Sequence, residues 1–175
     1  MSLKYIASQI FAIGALIISI ILAFRKRKSS ILFFSSLSFL FFAVQYLLLS
    51  GYTGCIMNLI YIIDSLILFI QEKQGKKPNV ITFISLLILG AVGLIITWNG
   101  ILTALIAFAY LIYLISVWQS SVTVYKWLTI ITIICWTIYN IALKSVFGTI
   151  TENVVLTSNI VGLVEWYKIN KKKEN

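Results

Sequence analysis

Four polar side chains that can hold a solute or a proton lie within strongly apolar segments. Asn58 and Asp64 are six residues apart in one segment, and Asn159 and Glu165 have the same spacing in another. An amide offers a donor and an acceptor without charge, which suits sugars, bases and hydroxyls. A carboxyl group can bind a hydroxyl or amine or exchange a proton, although placing it inside a membrane costs roughly 2.5–3.5 kcal/mol. These residues predict a polar site inside an apolar chain.

Each of these residues also has a purely structural interpretation. Asp64 can pair with a cation near the membrane surface: Arg25, Lys28 or Lys73. The two asparagines can hydrogen-bond neighbouring helices, which contributes about 0.6–2 kcal/mol in membranes. Glu165 stands next to two aromatic residues, a pattern typical of the membrane–water interface. The sequence leaves these alternatives open.

A second polar group lies in the stretch "ICWTIYNIALKSVFGTITENVV". Trp136 and Asn140 are four residues apart, so they share one face of a helix. Trp136 can form a flat stacking wall for a solute, or it can simply pack or touch lipid. Glu152 is predicted to open the last helix, because a carboxylate suits the positive helix end. Alternatively, Glu152 makes a gate contact with Asn140, Lys144 or Tyr139.

The composition indicates the elements that must position these residues. Of the 175 residues, 61% are apolar and 11% are charged, and the mean hydropathy is +1.02. Soluble domains are about half apolar and a quarter charged. Helices are predicted, because a backbone exposed to lipid must satisfy its own hydrogen bonds. Seven apolar runs of spanning length cover residues 5–24, 31–49, 54–70, 81–98, 101–118, 125–143 and 152–167.

The positive charges lie between these runs rather than on one face of a domain. Twelve of the fourteen Lys and Arg residues fall in alternate links and in the C-terminal tail. This pattern predicts an N-terminus outside the cell and a cytoplasmic C-terminus, and it argues against nucleic-acid binding. Histidine is absent, and no enzyme motif is found, so we expect no catalysis, no metal and no cofactor.

Two parts of the chain show weak internal similarity. Phe42 precedes Gln45 as Trp136 precedes Tyr139, and the Asn58–Asp64 spacing recurs at 159–165 after a link that is longer by seven residues. We therefore predict a single transmembrane domain, residues 1–175, that is all-α with seven transmembrane helices. Two parallel three-helix bundles, residues 5–72 and 101–170, are joined by a linker helix at 80–98 in a 3+1+3 plan.

Three segments resemble the bacterial inner-membrane YgjV family: "CWTIYNIALKSVFGTITE", "IFAIGALIISIILAFRKRKSSI" and "LLLSGYTGCIMNLI". The likeness spans nearly the whole chain and departs at residues 145–148, where the family has a further glycine. The family is similar in plan to the sugar-facilitator, PQ-loop and nicotinamide-riboside transporter group. That resemblance implies a pocket lined by Asn58, Asn159, Trp136 and Phe42, although the hinge prolines of those facilitators are missing.

The expected function is transport of a small polar solute, sugar-, nucleoside- or vitamin-like, by alternating access in the bacterial inner membrane. The substrate-binding residues would be Asn58, Asn159, Trp136, Phe42 and Asn140. Asp64, Glu152 and Tyr139 would serve coupling or gating. The expected partners are this solute and the lipid bilayer, and the sequence does not specify an oligomeric state. The alternative is a non-transporting membrane scaffold or receptor, whose seam between the halves would be dry and filled by Leu and Ile.

Overall fold

The chain folds entirely into helices in the part that the structure describes. The computed structural model describes residues 2–23, 27–76, 79–119 and 121–174, without the side chains at 23, 28, 122, 165, 166 and 168–174. Arg25 and the side chains of Lys28 and Glu165 thus lie outside the described residues. Within them there are seven helices, in the order α1 (Leu3–Ala23), α2 (Lys28–Leu48), α3 (Tyr52–Lys73), α4 (Val80–Ile96), α5 (Ile101–Trp118), α6 (Val122–Ala142) and α7 (Val146–Glu174).

Six of the described helices are long and apolar enough to cross a membrane, and α4 is a shorter apolar helix of 17 residues. At 1.5 Å per residue, α4 is about 25 Å long. The carbonyl of Thr97, just after α4, accepts a hydrogen bond of 2.8 Å from Thr53 Oγ1 at the start of α3. The chain passes from the end of α3 into α4, whereas Thr53 lies at the start of α3. The contact between Thr53 and Thr97 therefore means that α4 runs the full height of the bundle.

Consecutive helices pack side by side, and α1 also packs against α7. The backbone N–H of Phe147 donates to Gln9 Oε1 at 3.0 Å, and the Thr151 hydroxyl approaches the Ala12 carbonyl at 3.5 Å. These contacts show that α1 and α7 run in the same direction. We call the end of the bundle that holds residues 49–51, 97–100 and 143–145 the N-terminal end, and the other the C-terminal end.

The predicted start of the last helix is wrong. The helix α7 begins at Val146 rather than at Glu152, because Ser145 supplies an N-cap and its hydroxyl accepts from the N–H of Gly148 at 3.2 Å. Glu152 is therefore the seventh residue of α7 and does not cap it. The links before α3 and α7 are equally long, at three residues each (49–51 and 143–145), so the predicted longer link is also wrong.

Candidate functional site

Two turns of the same geometry lie at the N-terminal end, after α2 and after α6. Ser50 and Lys144 take positive φ angles of 58° and 55°. The Gly51 N–H then donates to the Tyr46 carbonyl at 2.8 Å, as the Ser145 N–H does to that of Asn140 at 2.9 Å. Such left-handed residues satisfy carbonyls that the end of a helix leaves open. Both turns deliver the next helix, α3 or α7, back into the bundle.

The first turns of α3 and α7 are each contacted by a side chain from the other half of the chain. The Tyr139 hydroxyl of α6 accepts from the Gly54 N–H of α3 at 2.9 Å. Gln45 of α2 donates its amide to the hydroxyl of Ser145, the N-cap of α7. Helix starts leave backbone N–H groups without intrahelical partners. Tyr139 therefore satisfies a backbone donor at the start of α3, and Gln45 holds the Ser145 hydroxyl that does the same for α7.

Glycines permit this close approach between the halves. A Cβ atom added to Gly54 would lie 2.8 Å from both Tyr139 Cε1 and Tyr46 Cγ. A Cβ atom added to Gly148 would overlap Asn140 Oδ1 and Ser145 Oγ and would lie 2.8 Å from Gln45 Nε2. Gly148, the single glycine within residues 145–148, is therefore required for this close approach.

An aromatic stack continues from this network into the bundle. Asn140 accepts from the Tyr46 hydroxyl at 3.1 Å and donates to the Trp136 carbonyl at 3.1 Å. The Tyr46 ring stacks on Trp136 and on Phe42, at centroid distances of 5.6 and 6.0 Å. All four side chains are buried. The structure thus brings three of the predicted binding residues, Phe42, Trp136 and Asn140, into one cluster with Tyr46.

The two predicted asparagines are not brought together. Asn58 is the seventh residue of α3 and Asn159 the fourteenth of α7, and these helices start at the same end, so Asn159 lies about 10 Å further along the axis. Each amide donates to a carbonyl of its own helix, Asn58 to Gly54 at 2.8 Å and Asn159 to Val155 at 2.9 Å. The residue of α7 at the level of Asn58 is Glu152, because the two links are equally long.

Asp64 is fully buried near the middle of α3, and neither of its carboxyl oxygens has a hydrogen-bond partner among the described residues. The Tyr110 hydroxyl borders the carboxyl group but donates to the carbonyl of Leu86 at 2.7 Å. Lys73, one of the cations considered for Asp64, instead places its amine 4.8 Å from the centre of the Phe69 ring.

Tyr61 lies at the centre of the interior, one turn before Asp64. Its ring contacts Phe39, Tyr110, Tyr113 and Trp136 at centroid distances of 5.0, 5.6, 4.6 and 6.0 Å. Both Asp64 and Glu152 lie within electrostatic reach of its hydroxyl. Glu152 is half-buried and makes neither a hydrogen bond nor an ion pair to another described residue. Glu152 therefore lies towards the aromatic interior, and no hydrogen bond or ion pair joins it to the expected gate partners Asn140, Lys144 and Tyr139 in the described part of the chain.

Tyr61, Tyr110 and Tyr113 were not among the residues predicted for the site. The sequence could have indicated them, because a tyrosine in the middle of an apolar span needs a partner for its hydroxyl. The core thus combines tyrosine and tryptophan rings with buried aliphatic side chains, and polar atoms without a hydrogen-bond partner lie among them. A crevice of about 200 Å³ lies elsewhere, between α4 and α5, and is lined by Val80, Phe83, Ile115, Trp118 and Gln119.

Comparisons with known proteins agree with the membrane architecture. No curated protein and no solved structure matches the chain significantly. A model of the Imp-YgjV family, described as bacterial inner membrane protein, matches residues 6–170. This match covers all the residues of the site described above and confirms the resemblance seen in the sequence. The chain therefore belongs to the Imp-YgjV family of bacterial inner membrane proteins.

Proposed function

We propose that this protein moves a small polar solute across the inner membrane by alternating access between two three-helix units, α1–α3 and α5–α7, with α4 as the linker. The observation that carries the proposal is the combination of two features. Hydrogen bonds between the two units close the N-terminal end, and unpaired polar groups lie behind this closure in the middle of the bundle. A structural scaffold would need neither feature.

The 3+1+3 plan is supported by the matching turns and by the reciprocal contacts at the helix starts. In this plan α1 corresponds to α5 and α3 corresponds to α7. The contact between α1 and α7 therefore corresponds to the contact between α5 and α3, and both contacts occur. Such parallel repeats are related by an axis along the membrane normal, and their solute sites lie at the repeat interface. The sugar-facilitator, PQ-loop and nicotinamide-riboside transporters share this plan, which is why a facilitator mechanism is proposed.

The closed end can open at modest cost. The contacts between the units at the N-terminal end are the hydrogen bonds of Gln45, Tyr46 and Tyr139 and the ring contacts of Tyr46 with Trp136 and Tyr139. A hydrogen bond contributes about 0.5–1.5 kcal/mol net and an aromatic pair a similar amount beyond its buried area, so an opened end must be balanced by new contacts at the other end. None of the described side chains from 153 to 164 in α7 is fully buried. We therefore propose the C-terminal part of α7 as the moving gate.

Each predicted site residue has a role in this proposal. Phe42, Trp136, Asn140 and Asn58 border the solute, and Tyr139 belongs to the closure at the N-terminal end. Asn159 would contact the solute when α7 moves. Asp64 is proposed to couple transport to an ion, because its carboxyl group lies in the seam between α3 and α5. If uptake in vesicles proved indifferent to a proton gradient and unchanged by Asp64→Asn, the proton-coupling role would be excluded.

Cysteine labelling tests alternating access without knowledge of the solute. Both native cysteines, Cys55 and Cys135, are buried, so a Cys55→Ser/Cys135→Ser chain serves as the background. Into it we would place Asn58→Cys and measure its reaction with a charged, membrane-impermeant thiosulfonate, separately from each side of sealed vesicles. We expect labelling from both sides, because the residue is exposed to each side in turn.

The matched control is Ile63→Cys, on the same helix but 43% exposed on the outer surface of the bundle. Because this position faces lipid, the charged reagent should not reach it from either side. If Asn58→Cys were labelled from one side alone, or not at all, the protein would not alternate and the scaffold or receptor alternative would stand.

A further inference from the structure

Among the residues that the structure describes, the interior of the bundle contains two acidic side chains and no basic one. Asp64 and Glu152 lie in inner turns of α3 and α7, whereas the Lys and Arg residues lie in links or within about two turns of a helix end. Neither acid pairs with a described cation. A solute that enters this interior therefore meets two carboxyl groups and, among the described residues, no positive group that pairs with them.

Asp64 is surrounded by further polar atoms that have no hydrogen-bond partner. Asp64, Ser65 and Tyr61 are at most 2% exposed. The polar groups of Tyr110, Tyr113 and Trp136 approach Asp64, Ser65 and Tyr61, respectively, but none of these approaches has the geometry of a hydrogen bond. Buried polar groups in folded proteins are nearly always paired, and an exception calls for an explanation. Four such atoms within two turns of α3 present oxygen lone pairs that no donor satisfies, which a positively charged ligand would stabilise.

The walls around these atoms are aromatic. The rings of Tyr61, Tyr110, Tyr113 and Trp136 lie close together beside Asp64, and Tyr46 extends the group towards Glu152. The face of an aromatic ring attracts a cation by about 0.5–2 kcal/mol, more where water is excluded. Hard inorganic cations prefer a cage of six or more oxygen ligands, whereas these walls present mostly carbon.

We propose that the solute is a small organic cation, an ammonium group with an apolar body, held between Asp64 and Glu152 with Tyr61 and Trp136 as its walls. This inference rests on the proposed transport function and names the solute class. The rings touch one another in this conformation, so the cation enters when the two units separate. A cation that comes from the N-terminal end meets Glu152 first, because Glu152 lies nearer that end than Asp64 does.

Choline chloride and its neutral isostere 3,3-dimethyl-1-butanol test the inference directly. The two probes have the same shape and differ in the positive charge. We would measure their binding to the purified protein in detergent by calorimetry, with tetramethylammonium chloride as a second cation and sodium chloride at equal ionic strength. We expect the cations to bind and the neutral alcohol to bind at least about 30-fold more weakly, because it loses both the carboxylate and the ring-face attraction.

Paired variants separate charge recognition from folding. Asp64→Asn and Glu152→Gln should each weaken choline binding at least about ten-fold, because each removes one charge from a site without competing cations. Glu72→Gln, on the same helix as Asp64 but exposed, should leave binding unchanged. Tyr61→Leu should weaken binding, while Tyr61→Phe, which keeps the ring, should retain most of it. Elution volume and helical circular dichroism check that each variant is folded.

Several results would overturn the cation site. They are equal binding of the neutral alcohol, the same response to sodium chloride alone, no binding of either ammonium probe, or unchanged affinity in both folded acid variants. None of these affects the labelling of Asn58→Cys from the two sides. Conversely, choline binding together with one-sided labelling would leave the site intact and exclude the transport cycle.

Discussion

At the scale of single residues, the contacts that join the two halves replace capping groups that the sequence lacks. Ser145 caps α7 with its own hydroxyl, but the corresponding position before α3 is Gly51, which has no side chain to do so. The Tyr139 hydroxyl takes this role by accepting from the Gly54 N–H. Tyr139 therefore combines a helix cap with a contact between the halves.

Tyr139→Phe should lower the stability by about 1–3 kcal/mol, because it leaves a buried backbone donor unpaired. The melting temperature of the purified protein in detergent measures the effect. Tyr52→Phe is the matched control, since Tyr52 is 61% exposed and its loss of a hydroxyl should change little. Equal melting temperatures for the wild type and Tyr139→Phe would show that water or another group serves Gly54 as well.

Gly148→Ala should be more costly than an ordinary helix substitution. Its Cβ would overlap the buried polar groups of Asn140 and Ser145, and overpacking of this kind typically costs about 1–3 kcal/mol. Gly162→Ala, in the same helix, is the control, because a Cβ there meets only the flexible end of the Lys126 side chain. Thermal unfolding compares the two variants. A lower melting temperature for Gly162→Ala than for Gly148→Ala would contradict this prediction.

Single polar residues could be identified from the sequence, but their partners could not. Trp136 and Asn140 share a face by spacing alone, and both are buried. Glu152 was assigned to a helix start because the polar residues and glycine at 144–149 resemble a loop. The structure extends the helix through them, since Gly148 is required there for close packing and not for a turn.

At the scale of helices, the contact between α2 and the residue that caps α7 offers a way to lock the bundle. The Gln45 amide and the Ser145 hydroxyl are in direct contact across the two halves. A Gln45→Cys/Ser145→Cys pair in the background without native cysteines should form a disulfide on mild oxidation. We expect the bond to stop labelling of Asn58→Cys from the N-terminal end, to leave labelling from the other end, and to be reversed by a reductant.

The control for this lock is each single cysteine variant under the same oxidant. Neither can close the end covalently, so labelling of Asn58→Cys should persist from both sides. Labelling that continued from the N-terminal end with the disulfide formed would contradict opening at this contact.

At the scale of the whole molecule, the number and order of helices were predictable, whereas their arrangement was not. Long apolar runs between charged links indicate helices, because the membrane leaves the backbone no other partner. The sequence does not indicate which helices pack together, because lipid is as apolar as the helix surfaces and association depends on detailed packing. The close approach of α1 to α7 through Gln9, Ala12 and Thr151 leaves no periodic signal in the sequence.

The charges at the two ends of the bundle predict its orientation in the membrane. In the structure Lys4 and Lys144 lie at the N-terminal end, whereas the other described basic residues lie at the C-terminal end. Because positive links stay in the cytoplasm, the C-terminal end should be cytoplasmic. Alkaline phosphatase, which is active outside the cytoplasm, should be active when fused after Gly100 and inactive after Gly75, and fluorescent protein fused after Asn175 should fluoresce.

The fusions after Gly75 and Gly100 flank α4, so they also test whether this helix of 17 residues crosses the membrane. Its length of about 25 Å is slightly less than the roughly 30 Å hydrocarbon core, but it joins the two ends of the bundle. Opposite phosphatase activities at the two positions mean that α4 spans. Equal activities would mean that α4 does not span and that α3 and α5 run antiparallel. In the two-unit plan α3 corresponds to α7 and α5 to α1, which run in the same direction. Both the two-unit plan and the predicted orientation would then be wrong.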